Sequence, residues 1–329
     1  MAELLLELYS EEIPPQLQIG ARNQLNQFFE KSFQEESIKY KELSIHSSPT
    51  RLTLVVKDLE EIIKIESKEI RGPKVGSPDQ ILQGFIKAKK ISQNDLLEKE
   101  TEKGKFYFIK TEKKKVLVEE LLISMIPKAL DSISWKKSMK WSDHDLMWGR
   151  PLRSIFASFN GKKINFQFDH LVSSDEIIIE QDLATKNKKV KNYKEYISLL
   201  KSNNIVIDHN EREKIILKKF STISELKNYK ESYNLDLLEE VVNIVEDPNV
   251  LLVDFNKDYL KIPQEIIIST LEKHQRYFPI FDNRGRLTNN FFVVANKKDE
   301  KKFITIGNKR VVEARLADAK FFWDKDRSK

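Results

Sequence analysis

The sequence predicts an α+β (mixed α/β), multidomain chain built from strand–helix–strand units, with a helical arm in its second half. Three observations predict it. The chain has 329 residues, too many for one ordinary core. Apolar residues alternate with period two in some stretches and recur with helical period in others. Clusters of Gly and Pro punctuate the boundaries between these stretches.

The elements follow in order. Leu4, Leu6 and Leu8 alternate with Leu5, Glu7 and Tyr9, the period of a strand. Ser10 and Pro14-Pro15 mark a break and a helix entry, because proline suits the first helical turn. Leu17, Ala21, Leu25 and Phe28 give that helix an apolar face. SSPTRLTLVVKDL (47–59) is β-branched and alternating, a second strand. RGPKVGSP (71–78) is punctuation, followed by a helix in DQILQGFIKAKKIS. KFYFIKTEKKK (105–115) reads as a strand entering a basic turn. VEELLISMIPKALDSI reads as a helix that Pro127 should end or kink. Two strands flank Asn160-Gly161, a strong hairpin signal. Residues 186–240 are polar and helical. VLLVDF, FPIF and FFVVA are strands, the last two joined by DNRGR. GNKRVVEARLADAKFFW is a closing helix with Asn308 as its N-cap and Val312, Leu316, Ala319 and Trp323 as its core stripe. Domain boundaries fall at 1–70, 71–185, 186–245 and 246–329. The last helix has nothing after it in sequence to pack against, so a partial chain is expected.

Composition narrows the function classes. Hydrophobic residues make up 40% and charged residues 33%, the balance of a soluble globular protein. No apolar run reaches membrane-span length, and MAELLLELYSEE lacks the cationic start of a signal peptide, so a cytoplasmic location is expected. The absence of cysteine excludes disulfides, zinc–thiolate sites and thiol catalysis. Net charge is +6, which suits a polyanionic partner. The excess is uneven: residues 301–329 hold nine Lys/Arg against four Asp/Glu, and residues 101–140 hold ten against five.

No Gly-rich phosphate loop and no nucleophile elbow is present. The histidines at 46, 144, 170, 209 and 274 form no i, i+4 metal pair, and His144-Asp145 reads as part of a solvated loop. Glu11-Glu12 reads first as anions at a helix N-terminus and second as an acid–base pair. Trp135, Lys136, Lys137, Lys140, Trp141, Trp148, Arg150 and Arg153 interleave rings and cations, which fits nucleic-acid stacking or a core with a wet rim. Arg315 and Asp318 are i, i+3 neighbours able to pair. Arg51, Arg71, Arg150, Arg153, Arg276, Arg310 and Arg315 fall at element ends or turns, where a planar guanidinium fork can meet phosphate or carboxylate. His274-Gln275-Arg276 precedes the FPIF hairpin at the end of a helix.

At these segments the chain resembles the beta subunit family of the bacterial heterotetrameric glycyl-tRNA synthetase. LYSEEIPP, SPTRLTLVV, RGP at 71–73, MKW, GRPLRSI, HQRYFPIFDNRGRLTNNFFVVAN and GNKRVVEARLADAKFFWDKD carry the resemblance in order along nearly the whole chain. Two departures stand out. Thr50-Arg51 replaces a frequent Arg-Arg, and EIIIEQDLATK stands where the family often shows Gly-His-Arg-Phe.

The resemblance implies a subunit of glycine–tRNA ligase that binds tRNA for glycine and a catalytic alpha subunit, in a tetramer of two alpha and two beta chains. It implies that the alpha subunit holds the class II site and uses ATP and Mg. Because no ATP-binding motif appears and the histidines are scattered, no cofactor, metal or aminoacylation site is expected in this chain. It implies helical and anticodon-binding domains after residue 329. The contact candidates are Arg51, Arg71, Lys140, Arg150, Arg153, His274, Gln275, Arg276, Arg310 and Arg315, with Arg71, Arg276 and Arg315 foremost. An editing-type hydrolase near Glu11-Glu12 or His274, and a purely structural subunit, stay open as alternatives.

Overall fold

A computed structural model describes residues 2–65, 67, 69–89, 91–102, 104–110, 113–181 and 184–328. Lys90, Thr111, Glu112, Asp182, Leu183 and Lys329, which fall within stretches read above, lie outside the described residues. The elements are β1 (Ala2–Ser10), α1 (Pro15–Glu35), β2 (Glu42–Ser47), β3 (Arg51–Leu59), β4 (Ile62–Ile65), β5 (Glu69–Lys74), α2 (Asp79–Lys89), β6 (Leu96–Thr101), β7 (Gly104–Lys110), β8 (Lys114–Leu117) and α3 (Val118–Asp131). There follow β9 (Leu152–Phe159), β10 (Lys162–Lys163), β11 (Gln167–Phe168), β12 (Leu171–Val172), β13 (Glu176–Gln181), β14 (Ala184–Lys189), α4 (Tyr193–Ser202), α5 (His209–Lys227), β15 (Tyr229–Lys230), α6 (Leu235–Val242), β16 (Asn249–Asp254), α7 (Gln264–Ser269), β17 (Phe278–Asp282), β18 (Leu287–Ala295) and α8 (Phe303–Arg327). The fold is α+β with several separate sheets, as the sequence predicts. The chain divides into two compact units, residues 60–122 and residues 1–59 with 123–329, where the sequence reading drew four segments.

In the larger unit an antiparallel sheet runs β10-β9-β1-β3-β2, with β1 at its centre. β1 is buried on both faces, which is why Leu5 is apolar as well as its alternating neighbours. Leu5 joins Val55, Phe156, Ile177, Ile179, Tyr196 and Leu200 in one cluster, so β13 and α4 cover that face. The segment read as helical from residue 186 therefore begins with a strand, β14.

The strand expected over 47–59 is β3, starting at Arg51, and a further strand, β2, precedes it. Ser48 and Arg51 exchange backbone hydrogen bonds and close a turn through Pro49, so β2 folds back along β3. Pro14 and Pro15 open α1 as expected, but the helix buries Phe29 and Phe33, leaving Phe28 at the edge. α3 continues through Pro127 to Asp131 rather than ending there; Met125, Ile126, Ala129 and Leu130 are buried on either side of the proline and hold both halves. At the β9–β10 turn Asn160 and Gly161 both have positive φ, 50° and 76°, the type I′ geometry that matches strand twist.

The second sheet of this unit runs β15-β17-β18-β16, all antiparallel. Val250, Phe278, Ile280 and Phe292 face Ile216, Phe220, Leu237, Leu238 and Val241 of α5 and α6. Val253, Phe291 and Val293 face Ile267, Leu271, Val312 and Leu316. Both faces are covered, so FFVVA is a continuous apolar run rather than an alternating one. Asp282 Oδ1 accepts from the Arg284 and Arg286 amides, and Gly285 (φ 77°) completes the β17–β18 turn.

In the smaller unit an antiparallel sheet runs β5-β7-β6, beside a β4–β8 pair and α2. Arg71-Gly72-Pro73 is not a break but lies inside β5, at an irregularity between Arg71 and Lys74 where Pro73 needs no ladder partner. Among the described residues, no helix is long and apolar enough to cross a membrane.

One close approach makes a prediction. A Cβ on Gly149 would stand 2.5 Å from the Trp135 ring. Gly149→Ala is expected to destabilise the larger unit by about 1–3 kcal/mol through overpacking, read as a lowered urea midpoint at unchanged slope.

Candidate nucleic-acid interface

The structure sorts the candidate cations by whether an internal partner holds them. Arg51 is 1% exposed. Its guanidinium donates to Glu7 at 2.9 Å and to the Ile178 carbonyl at 2.5 Å, and lies 4.7 Å from the Tyr9 ring centroid. Tyr196 donates to the same Glu7 oxygen at 2.6 Å and meets the Thr53 hydroxyl at 2.8 Å. Burial alone would pull the Arg51 guanidinium down, yet Glu7 beside it raises it above its usual value. Arg51 is therefore a structural cation and not a contact residue; the sequence reading misplaced it because a strand-end arginine looks the same whether it points in or out. Thr50, the departure from Arg-Arg, donates to Glu246 at 2.9 Å, as Ser48 does at 2.5 Å.

Arg153 reaches Glu180 at 2.7 Å and Glu11 at 3.4 Å. Arg150 is half-buried and donates to the Gly149 carbonyl at 3.2 Å, while exposed Lys140 pairs with Asp145 at 2.8 Å. The tryptophans among these cations are packing groups. Trp148 is buried, with its ring centroid 4.9 Å from Trp135 and 5.8 Å from Phe168. Trp141 lies edge-on to His144 and His170. The core-with-wet-rim reading fits Trp148 best. Arg71 lies in the smaller unit, exposed, with its guanidinium 3.5 Å from the Phe106 ring centroid.

The helix before β17 ends in a π turn, Thr270–His274. Arg276 follows with φ at 60°, a conformation uncommon outside glycine. Its Nε donates to Glu240 of α6 at 2.8 Å and its Nη1 to the Lys273 carbonyl, so it braces the end of its own helix against α6. His274 is exposed and Gln275 half-buried. Tyr277 donates to Asn308 and shares a cluster with Val312 and Leu316, so the two most family-like segments pack on one another.

α8 begins five residues before the expected cap. Asp299 accepts from the Ile304 amide at 2.9 Å and from the Thr305 amide at 2.7 Å, which serves the free amides of the first turn. Asn308 sits inside the helix and donates back to the Ile304 carbonyl. The stripe Val312, Leu316, Ala319 and Trp323 packs inward as expected. The rest of α8 leaves Phe303 (72% exposed), Phe321 (62%) and Phe322 (61%) in solvent with Arg310 and Arg315. Lys325 lies 6.0 Å from the Phe321 ring and Arg327 5.9 Å from the Trp323 ring. Arg315 has no acidic partner among the described residues, so the pairing with Asp318 is not formed.

The places named for a hydrolase are open surface. Glu12 and His274 are exposed, and Glu11 meets Arg153.

Sequence reasoning missed one polar cluster. His46, at the end of β2, lies 3.4 Å from Asp208, the N-cap of α5, and His209 lies 3.9 Å from the same oxygen. Burial, with Arg22 and Arg212 nearby, pushes His209 down to about 4, so it is neutral at pH 7. Arg212, 0% exposed, donates to the carbonyls of Val242, Val206, Ile207 and Ser47 at 2.6–3.0 Å. Arg22 donates to Ser47 Oγ and, at 2.9 Å, to Asn243. Residues this far apart in sequence leave no spacing signal to find.

With this geometry in hand, comparison with known proteins gives a consistent result. The model of the family described as glycyl-tRNA synthetase beta subunit matches residues 4–329. Proteins called glycine–tRNA ligase beta subunit are 34% identical over 334 residues in Rickettsia felis, 36% over 337 in Rickettsia peacockii, and 34% over 329 in Dictyoglomus turgidum. These alignments cover 98–100% of this chain but 48–50% of the relatives. The match is to the aminoacyl-tRNA synthetases, ligases of protein biosynthesis. Within that class, the chain belongs to the glycyl-tRNA synthetase beta subunit family. It spans about half the length of the curated relatives it matches.

Proposed function

We propose that the chain supports ATP-dependent attachment of glycine to its tRNA by binding tRNA and a catalytic alpha subunit, without an aminoacylation site of its own. The observation that carries this reading is the solvent face of α8. Arg310, Arg315, Phe303, Phe321 and Phe322 are all exposed on this one helix, in a segment with nine cations against four acids. Exposed rings and exposed guanidiniums on one helix suit stacked bases and phosphates. An apolar–cationic strip of this kind also suits a protein neighbour, which is why both partners enter the proposal. Arg51, Arg153 and Arg276 are held by internal acids, which concentrates the expected contacts on α8, with Arg71 as a separate exposed site.

In this reading the alpha subunit supplies the class II site and uses ATP and Mg²⁺, two alpha and two beta chains assemble, and the complex works in the cytoplasm. No phosphate-cradling motif in the sequence calls for nucleotide binding by this chain. The test is fluorescence anisotropy of glycine tRNA with the chain, alone and with the alpha subunit, across a salt series. Arg315→Ala and Arg310→Ala are each expected to reduce the slope of log affinity against log salt by about 0.9. An unchanged slope in both assigns this face to a protein partner. Absence of RNA binding by every combination leaves the purely structural role.

A further inference from the structure

We propose that His46, Asp208 and His209 form a binding site for one transition-metal ion of the zinc class, held by two imidazoles and one carboxylate. One donor atom from each residue lies within 4.8 Å of the other two. His46 Nδ1 and His209 Nδ1 lie 3.4 Å and 3.9 Å from the same oxygen, Asp208 Oδ1. A tetrahedral zinc with ligands at ~2.0–2.1 Å separates its donors by roughly 3.3–3.5 Å. The His46–Asp208 spacing already fits, and His209 needs to approach by only a few tenths of an ångström.

A second observation is independent of the spacing. Both Nδ1 atoms are buried; His209 Nδ1 has no hydrogen-bond partner among the described residues, and His46 Nδ1 has only the Asp208 carboxylate, at a long 3.4 Å. Buried polar atoms in native folds are seldom left so. Ordinary His–Asp hydrogen bonds account for the pair poorly, because 3.4 Å and 3.9 Å are both long for one. One ion placed between the three donors satisfies both nitrogens at once. Asp208 Oδ1 also accepts from the Asn210 amide at 2.9 Å, which fixes the carboxylate in place as a supporting hydrogen bond does for metal ligands elsewhere.

The surroundings select the ion. Two imidazole nitrogens with one carboxylate favour Zn²⁺, Co²⁺, Ni²⁺ or Cu²⁺ over Mg²⁺ or Ca²⁺, which want oxygen. Arg22 and Arg212 lie close enough to bear on His209 electrostatically, and they are bonded to Ser47, Asn243 and backbone carbonyls. Their positive charge opposes ions held by Coulomb attraction alone, which strengthens the preference for a metal that bonds imidazole directly. The three side chains keep 12%, 33% and 22% exposure, so the cluster is not sealed from solvent. Such an ion would tie the end of β2 to the start of α5.

The test uses the chain without a polyhistidine tag, stripped with a chelator and titrated with CoCl₂. One Co²⁺ per chain is expected, with visible absorption bands of a four- or five-coordinate ion, displaced by ZnCl₂. Zinc should raise the melting temperature, and MgCl₂ should not. His46→Asn with His209→Asn is expected to weaken Co²⁺ binding by more than about 100-fold, since even supporting changes around a metal cost 10–100-fold. His144→Asn with His170→Asn, a stacked pair elsewhere with ring centroids 3.6 Å apart, should leave binding unchanged. No stoichiometric Co²⁺ binding by the unaltered chain overturns the proposal whether or not the variants fold. Loss of binding in the His144/His170 variant, with retention in the His46/His209 variant, overturns it as well.

Discussion

Arg51→Met is expected to remove about 3–5 kcal/mol from the larger unit, the range found when one partner of a buried ion pair is deleted. Methionine fills similar volume, so little of this comes from a cavity. The loss arises at Glu7, itself 1% exposed, which would keep a buried charge with the Tyr196 hydroxyl as its one remaining side-chain partner among the described residues. The Ile178 carbonyl would lose its donor too, loosening β13 from the sheet. Against a typical total of roughly 5–15 kcal/mol, this is enough to leave the unit partly unfolded at 37 °C. Urea unfolding followed by circular dichroism measures it. The double variant Arg51→Met with Glu7→Leu should recover part of the loss, because the stranded carboxylate is then gone. A single-variant loss below about 1 kcal/mol would show that water reaches Glu7 and that the network is not closed.

Arg212→Ala should be comparably severe, about 3–5 kcal/mol, for a different reason. Among the described residues Arg212 has no carboxylate hydrogen-bonded to it; it donates to four main-chain carbonyls from three places. Val242 lies at the last turn of α6, Val206 and Ile207 in the loop before α5, and Ser47 at the end of β2. Each carbonyl left buried without a donor costs roughly 1–3 kcal/mol, less what water and relaxation return. Burial lowers the guanidinium to about 10, which leaves it charged at pH 7. Arg212→Lys should recover less than half of the loss, because an ammonium on one stem cannot reach carbonyls that a planar fork spans. Hydrogen exchange separates this from general destabilisation: amides of α6 and the loop before α5 should lose protection before those of β1. Uniform loss, or a lysine variant as stable as the parent, would contradict the bracing role.

Much of the fold was legible in the residues. β1, α1, α2, the Asn160-Gly161 turn and the β17–β18 hairpin follow from period, proline placement and turn residues. The inward stripe of α8 follows from Val312, Leu316, Ala319 and Trp323. Boundaries failed where a distant group took over a local job. Asn308 looked like an N-cap, but Asp299 reaches the first amides from outside the helix. Arg71-Gly72-Pro73 looked like a break, but an irregular strand edge tolerates the proline. The candidate cations show the same limit. Arg276 was read as meeting RNA, a subunit or its own helix end, and its near neighbours are Glu240 and the Lys273 carbonyl.

By itself the sequence determined the α+β class, the family and most of the local elements, because these rest on interactions between residues a few positions apart. Only the tertiary structure decided which arginines are structural and which are free, since burial depends on what other elements bring. Glu7 and Tyr196 make Arg51 an internal cation, whereas Arg315 is exposed on α8 with no acidic partner among the described residues. The tertiary structure alone also brought His46 to Asp208 and His209, because a cluster made across 162 positions has no period, spacing or composition to announce it.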